Sequence, residues 1–522
     1  IGQKAAAGIP VAVSNPNSGV PVGQTITDAD GNYRVTGLPA GQVTVTPVAP
    51  VYVLPVAAYS GQPGRPVNLS ASEVVEGIDF KLTRGGVITG RITDGEGKPV
   101  IEQSVSLMMV DENGAPARGP NFPRPNFTMY QTDDRGIYRI YGLPAGHYKV
   151  SAGADPGGVG MRPSGYFQKT FYPDESDVNR AAVVDVTEGG ETKNIDIRLG
   201  RRGQTYTVSG RIIDADTNQP LSGVQYSIGI IQQNQNQSSL SSTSGPGTPT
   251  NSQGEFRMEG ITPGRYVILI NPARFNPTAS GGPRVFSDPV PFEVLDGDVA
   301  DLEVKAQRGL SISGVVVPDG ITDRAILDRL SKMVVFANVD PGPNVLRTFN
   351  NTGYAQINSD WGFVLDGMRP GKVSINVAAF NAPQIPGLTV IRVEHNGIVH
   401  PRQIDLQPGQ NISGVRVFVA YCTGVVRGQV RVDGGTLPND AMLYVNLQGE
   451  PDRYGAQVDS RGNFVIKGIR AGTYEAVLQV NSWGAQTLPR GFARVQRQSI
   501  TVAEGAETQV IFTLDLTPKE QP

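Results

Sequence analysis

Cysteine is almost missing from this chain: one residue, Cys422, in 522. A single thiol excludes an internal disulfide framework, though it does not exclude export. Histidine is scarce, with three residues, and neither His-Glu-x-x-His nor Gly-x-Ser-x-Gly occurs. No apolar run reaches the roughly 18 residues of a membrane span. Neither sign of charge dominates, with 45 Lys and Arg against 48 Asp and Glu. That balance excludes the basic footprint of a nucleic-acid binder or of a protein drawn to anionic membranes. Helical periodicity is nearly absent. The exception is Thr322 to Ser331, where an Asp-rich start and Ile326, Leu327 and Leu330 predict one short helix. The chain starts at Ile1, without an initiator Met or a signal-peptide pattern, so it reads as a mature or excised piece of something longer.

What is present is turn chemistry and repetition. Gly (64) and Pro (40) make up about a fifth of the chain, which suits many short strands joined by turns. One pattern occurs five times: Asp28-x-x-Gly31-x-Tyr33-x-Val35-x-Gly37-Leu38-x-x-Gly41, again from Asp133 to Gly146, then Asn251 to Gly264, Asn358 to Gly371 and Asp459 to Gly472. A recurrence of roughly 100 residues means an array of similar domains. In the fourth copy Gly362 sits one place late, after Trp361, which predicts an altered turn.

Four copies are preceded by an apolar-x-Gly-x-apolar strand: Ile88-x-Gly90-x-Ile92, Val208-x-Gly210-x-Ile212, Ile312-x-Gly314-x-Val316 and Val426-x-Gly428-x-Val430. Period-two alternation puts the three residues on one face, and the central Gly predicts close backbone approach or a bulge. The motif aromatic (Tyr33, Tyr138, Phe256, Phe363, Phe464) should point into the core. Each copy closes on a further alternating strand, such as Ile78-x-Phe80-x-Leu82 or Val510-x-Phe512-x-Leu514. A strand apolar on one side needs a second layer, hence two-sheet sandwiches. The expected modules are 1–84, 85–200, 201–308, 309–420 and 421–522. The links between them, such as Thr83 to Val87, are too short for flexible tethers. The fold expected is therefore all-β: a tandem array of five Ig-like or transthyretin-like β-sandwich domains, abutting end to end as an elongated rod.

The opening strand, the Asp-x-x-Gly-x-Tyr/Phe-x-Val-x-Gly-Leu-x-x-Gly core and the closing strand resemble the carboxypeptidase regulatory-like domain family and its relatives, the collagen-adhesin B-type repeats. The resemblance implies a transthyretin-like seven-strand sandwich and covers nearly the whole chain. It implies no peptidase activity, because such domains are accessories in many surface proteins. Some adhesin relatives carry a Lys–Asn crosslink. Here the opening strands offer Arg91, Arg211, Val315 and Gln429, and no Lys, so the crosslink is not carried over.

Candidate chemistry is thin. His395 and His400 flank Asn396-Gly397, a strong hairpin signal that pairs His395 with Ile398 and Val393 with His400, so the imidazoles need not converge. Cys422 reads as a small buried apolar residue. Asp214-Ala-Asp216-Thr-Asn218 has the spacing of calcium-loop ligands, but Gln219 replaces the required Gly; turn chemistry explains it, as it does Asp28 and Asp30. Gln232 to Ser252 reads as a solvated loop, with a sequon-like Asn236. Phe122, Phe127 and Tyr130, and Tyr166, Phe171 and Tyr172, lie on two loops of the second module. They are candidate contacts for a ligand or partner such as polysaccharide; the competing reading is that they cover their own module. No catalytic, metal or cofactor site is assigned.

The first copy lacks an opening strand: Ile1 to Ala6 do not supply one. Before Ile9, Val11 and Val13 this predicts an unpaired edge where subunits could join. The strand could lie upstream, the module could tolerate the gap, or another subunit could supply the strand. The functional expectation is a non-enzymatic structural protein, extracellular or on a bacterial cell surface: a stalk or filament subunit that self-associates or attaches to a larger envelope protein. The alternative is a carbohydrate- or protein-binding accessory region.

Overall fold

Alternating apolar residues become paired sheets throughout the computed structural model. It describes residues 5–15, 20–53, 64–116, 130–154, 166–234, 237–244, 249–270, 284–340, 352–379, 385, 387–400, 403–437, 441–449, 452–481 and 495–517. The chain is a tandem array of β-sandwiches. It divides into two compact units, one of Ile1–Gly153, Lys169–Arg201 and Cys422–Pro522, the other of Ala154–Gln168 and Arg202–Tyr421.

In the third to fifth sandwiches one sheet has the opening strand at its centre. Leu310–Asp319 pairs antiparallel with the motif strand Gly362–Met368 and parallel with the closing strand Ile412–Tyr421. Tyr206–Asp214 sits in the same way between Glu255–Ile261 and Val299–Arg308, and Gly424–Asp433 between Asn463–Ile469 and Glu507–Asp515. The second sandwich repeats this with Gly86–Thr93 between Ile137–Leu143 and the short segments Glu191–Thr192 and Ile197–Arg198. A second, antiparallel sheet covers the apolar face, as Thr352–Gln356, Val334–Asp340, Gly371–Ala378 and Gln403–Leu406 do in the fourth. The core lies between, with Ile312, Leu365, Val373, Ile375 and Val415 fully buried.

The central glycine of each opening strand has a steric cause. It stands opposite the motif aromatic: Gly90 with Tyr138, Gly210 with Phe256, Gly314 with Phe363, Gly428 with Phe464. A Cβ on Gly314 would lie 1.8 Å from the Val415 carbonyl oxygen, and one on Gly428 2.3 Å from the Phe464 ring. The parallel register also slips at this point in the third and fourth sandwiches, so close approach and bulge occur together.

The motif turn is held by its first residue. Asp133 Oδ1 accepts from the N–H groups of Arg135 and Ile137, and Asp28, Asn251 and Asp459 do the same in their copies. The fourth copy is altered in its side-chain bracing, with Gly362 N–H on Asp360 Oδ1 at 3.0 Å, but not in its backbone path. Its backbone bonds persist, from Trp361 N–H to Asn358 O and from Asn358 N–H to Gly362 O. Trp361 itself takes the left-handed conformation, at φ 66°, that glycine takes in the other four. Its partly buried ring packs on the core, which offsets the backbone cost.

The expected helix is Arg324–Leu330, capped by Asp323. The polar stretch read as a loop instead forms the hairpin Tyr226–Asn234 and Gln237–Ser244, because it extends a sheet whose inner strand is already paired. Asn236 lies outside the described residues. The Asn396-Gly397 hairpin has the expected register, with His395 facing Ile398 and Val393 facing His400.

Links between successive sandwiches are paired into short sheets. Tyr52–Val53 pairs with Thr83–Arg84 and Tyr166–Phe167 with Arg202–Gly203, whereas Val285–Phe286 is an edge strand of the third sandwich's own sheet, on the end of Val299–Arg308. Between the third and fourth, Arg369 donates to Ser287 O at 2.8 Å, meets the Asp288 carboxylate and lies over the Phe286 ring. Within the first unit, the edge strand Arg65–Leu69 is covered by the fifth motif turn. Asn68 N–H reaches Asp459 at 3.3 Å, Arg461 donates to Asn68 O at 2.9 Å, and Arg461 pairs with Glu73 at 3.1 Å. The end-to-end succession read from the linkers does not foresee that contact.

Candidate functional site

The first sandwich is built differently from the others. Its outer sheet is complete, in the order Pro21–Ile26, Pro10–Ser14, Gly41–Pro47, Arg65–Leu69. This corrects the expected joining edge at Ile9, Val11 and Val13. Ile9 only leads into Pro10–Ser14, which is paired on both sides, and Val11 and Val13 are 2% and 1% exposed. The opening strand belongs to the opposite sheet, so its absence leaves no gap here.

The difference lies in that opposite sheet. Tyr33, Val35 and Leu38 of the motif, and Ile78 and Phe80 of the closing segment, are only half-buried and belong to no strand. Their counterparts Tyr138, Ile140, Leu143, Ile195 and Ile197 are all buried against the opening strand. Among the described residues no strand lies between the two walls of the first sandwich.

The walls nevertheless hold their mutual position. Tyr33 donates its hydroxyl to Ile78 O at 2.5 Å, as Tyr138 donates to Ile195 O at 2.6 Å. Burial, reinforced by Asp79, pushes the Tyr33 hydroxyl up to about 12, so it stays a donor at neutral pH. The segment before the motif is also fixed. Thr27 Oγ1 donates to Ala6 O at 2.6 Å and accepts from Ile9 N–H at 2.9 Å. Thr132 bonds Val100 and Gln103 in the same way, and Thr250 bonds Leu221 and Val224. Val100 and Leu221 in turn bond back to Ile92 and Ile212 of the opening strands. These threonines escaped the sequence reading, although a Thr directly before the motif Asp or Asn in three copies was a visible signal.

The candidate aromatics are placed otherwise than a ligand platform requires. Tyr166 and Phe171 are 8% and 5% exposed. Tyr166 pairs with Gly203 in a linker sheet, and Phe171 pairs with Ser151. Tyr172 is half-buried and bonds to Val150 O. Burial pushes the Tyr130 hydroxyl up to about 12. Tyr166 lies on the linker strand and Tyr130, Phe171 and Tyr172 on their own sandwich, which favours the covering reading over that of exposed contacts. Phe122 and Phe127 lie outside the described residues. Asp214 Oδ1 accepts from Asp216 N–H, Thr217 N–H and the Thr217 hydroxyl, so it closes a turn. Cys422 is buried. Among the described residues no three His, Cys, Asp or Glu side chains converge as a metal site, and no helix is long and apolar enough to cross a membrane.

Comparison with known proteins adds little. The sequence model for polysaccharide lyase family 4, domain II, an fn3-like module, matches residues 428–510. No curated protein matches the chain. Among solved structures, a streptococcal ancillary pilin is 11% identical and covers 60% of this chain and 100% of its own, with a TM-score of 0.21. The Bacillus anthracis TIE protein is 11% identical over 92% of this chain and 70% of its own, with a TM-score of 0.15. BcpA, the major pilin subunit of Bacillus cereus, is 11% identical over 60% and 99%, also with a TM-score of 0.15. At such identities and scores, function has to be read from the geometry of this chain.

Proposed function

We propose that this is a non-enzymatic structural protein of the bacterial cell surface, a stalk or filament subunit made of five sandwich modules. The observation that carries the reading is the paired linker. Tyr52–Val53 with Thr83–Arg84, and Arg369 clamped on Ser287 and Asp288, couple successive modules instead of tethering them. Coupled modules resist bending at their links, which a load-bearing scaffold needs and a string of independent binding domains does not. Joining of such subunits head to tail by strand addition at the first sandwich is part of this proposal. Electron microscopy and surface fractionation of native material test this reading. Linear assemblies on the cell surface are expected; single soluble particles confined to the cytosol would overturn it.

A polysaccharide-binding accessory region is the second reading, and the match of residues 428–510 to a lyase-family module favours it. The burial of Tyr166 and Phe171 leaves Phe122 and Phe127 to carry it. Glycan-array binding that disappears in Phe127→Ala would support it over the first.

A further inference from the structure

We infer that the contact between the first and fifth sandwiches is an exchangeable joint: the edge strand Arg65–Leu69 of one copy takes the fifth motif turn, Asp459 to Asn463, of a second copy of the chain. This deepens the assembly reading above and rests on it.

The fifth turn is set apart from the others by being covered. Asp133, Asn251 and Asn358 stand exposed at the head of their turns, whereas Asp459 is 5% exposed where Arg65–Leu69 lies on it. Asn68, 4% exposed, donates its side-chain amide to Asn463 O at 2.9 Å, and Gln42 donates to Gln457 O at 2.9 Å. These bonds are made by polar side chains, and the buried Asn68 Oδ1 has no donor. Water replaces such bonds at small cost, so the contact opens more readily than an apolar core.

The two surfaces differ from each other, and they sit on the first and fifth modules, 388 to 415 residues apart. A contact between unlike surfaces can close on its own chain or pass from copy to copy. In the second case each joined pair leaves one free surface of each kind, which gives an open head-to-tail series. Only Cys422 and Thr423 separate Ile412–Tyr421 from Gly424–Asp433, so rotation at two residues redirects the fifth module toward a neighbour. Protein concentration, set against the effective concentration of the two surfaces within one chain, decides between the forms.

The test uses the full chain carrying Arg461→Lys, which keeps the charge beside Glu73 and lets a carbodiimide couple positions 73 and 461 directly. Isotopically heavy and light chains are mixed and coupled over a range of concentrations. Heavy–light coupled peptides are expected, and their share should rise with concentration. Adding Asn68→Asp removes the donor to Asn463 O and sets a carboxylate near Asp459; the heavy–light yield should fall about tenfold. Residues 43–45 should keep their hydrogen-exchange protection in that variant, which shows that the first sandwich is folded. Gln42→Ala removes only the bond to Gln457 O and should lower the yield about threefold. Coupling confined to heavy–heavy and light–light pairs at every concentration, or no coupling at all, overturns the inference. So does a heavy–light yield that neither variant moves. Heavy–light pairs from a protein whose native material shows only single particles leave the joint standing and remove the filament reading. Native assemblies that keep their length in both Asn68→Asp and Gln42→Ala do the reverse.

Discussion

The first and second sandwiches share a motif, a turn and a tyrosine bond, yet among the described residues only the second has its opening strand paired into a second sheet. Tyr138 and Ile140 form a strand because Gly86–Thr93 lies beside them; Tyr33 and Val35 have the same alternation and form none. Alternation says which face will be buried, but a strand also needs hydrogen-bond partners for its backbone. The central strand supplies partners to both neighbours at once. Losing it therefore dissolves a whole sheet, whereas losing an edge strand would only shorten one.

The strongest way to break this comparison is to turn the second sandwich into the first. Gly90→Val puts a side chain where a Cβ would already lie 1.9 Å from the Ile195 carbonyl oxygen and 2.8 Å from the Tyr138 hydroxyl. Overpacking against backbone should cost about 3 kcal/mol or more. The opening strand would be expelled, and hydrogen exchange should show residues 137–143 losing protection to the level of 33–38. If 137–143 stay protected, the central strand is not what orders its neighbours.

Next in size is the tyrosine bond. Tyr138→Phe leaves the buried Ile195 carbonyl without its donor, at a cost of about 1–3 kcal/mol. Tyr33→Phe should cost less, because half-exposed walls let water replace the lost donor. Denaturation followed by exchange at residues 148–150 and 43–45 would compare them. Equal costs would mean that the two slots are equally dry.

These contrasts also mark what was legible in the sequence. The repeat, the closing strands and the steric role of Gly90, Gly210, Gly314 and Gly428 could be read because each leaves a fixed offset or a missing side chain. The sheet to which a strand belongs could not. Val11 and the missing strand are neighbours in sequence but lie in opposite layers, and period-two alternation is the same for a central strand and an edge. Parallel pairing of opening and closing strands, about 80 to 110 residues apart in the chain, leaves no local mark at all. Nor does burial of Tyr166 and Phe171, whose loop composition suggests exposure. The turn of the fourth copy was legible in part: its bracing shifts to Asp360, but a bulky residue accepts the positive φ because its ring packs on the core.

That turn gives a smaller effect. Gly136→Ala strains a left-handed residue, at φ 72°, and crowds the Ile92 carbonyl at 2.5 Å, for a loss of about 1–2 kcal/mol. Trp361→Gly relieves the same strain but gives up the packing of the ring, so its net change should stay within about 1 kcal/mol. Urea midpoints of the two variants decide it. A large loss from Trp361→Gly would show that side-chain packing outweighs the backbone preference.

A last effect is alkaline, and it separates the sandwiches by how far their tyrosines are raised. Burial lifts Tyr33 from its ordinary value of 10.0 to about 12, and lifts Tyr138 further. A raised pKa means that the folded state keeps its proton after the unfolded chain has lost it. The stabilisation is full below pH 10 and falls as pH rises above it. In the first sandwich the fall should level off near pH 12, where folded Tyr33 also ionises; in the second it should continue past that point. Exchange rates at residues 43–45 and 148–150, followed from pH 9 upward, should diverge at the end of the Tyr33 window, and Tyr33→Phe should flatten the first profile. If both profiles level together, Tyr33 is no wetter than Tyr138, and the contrast between the two sandwiches fails at its centre.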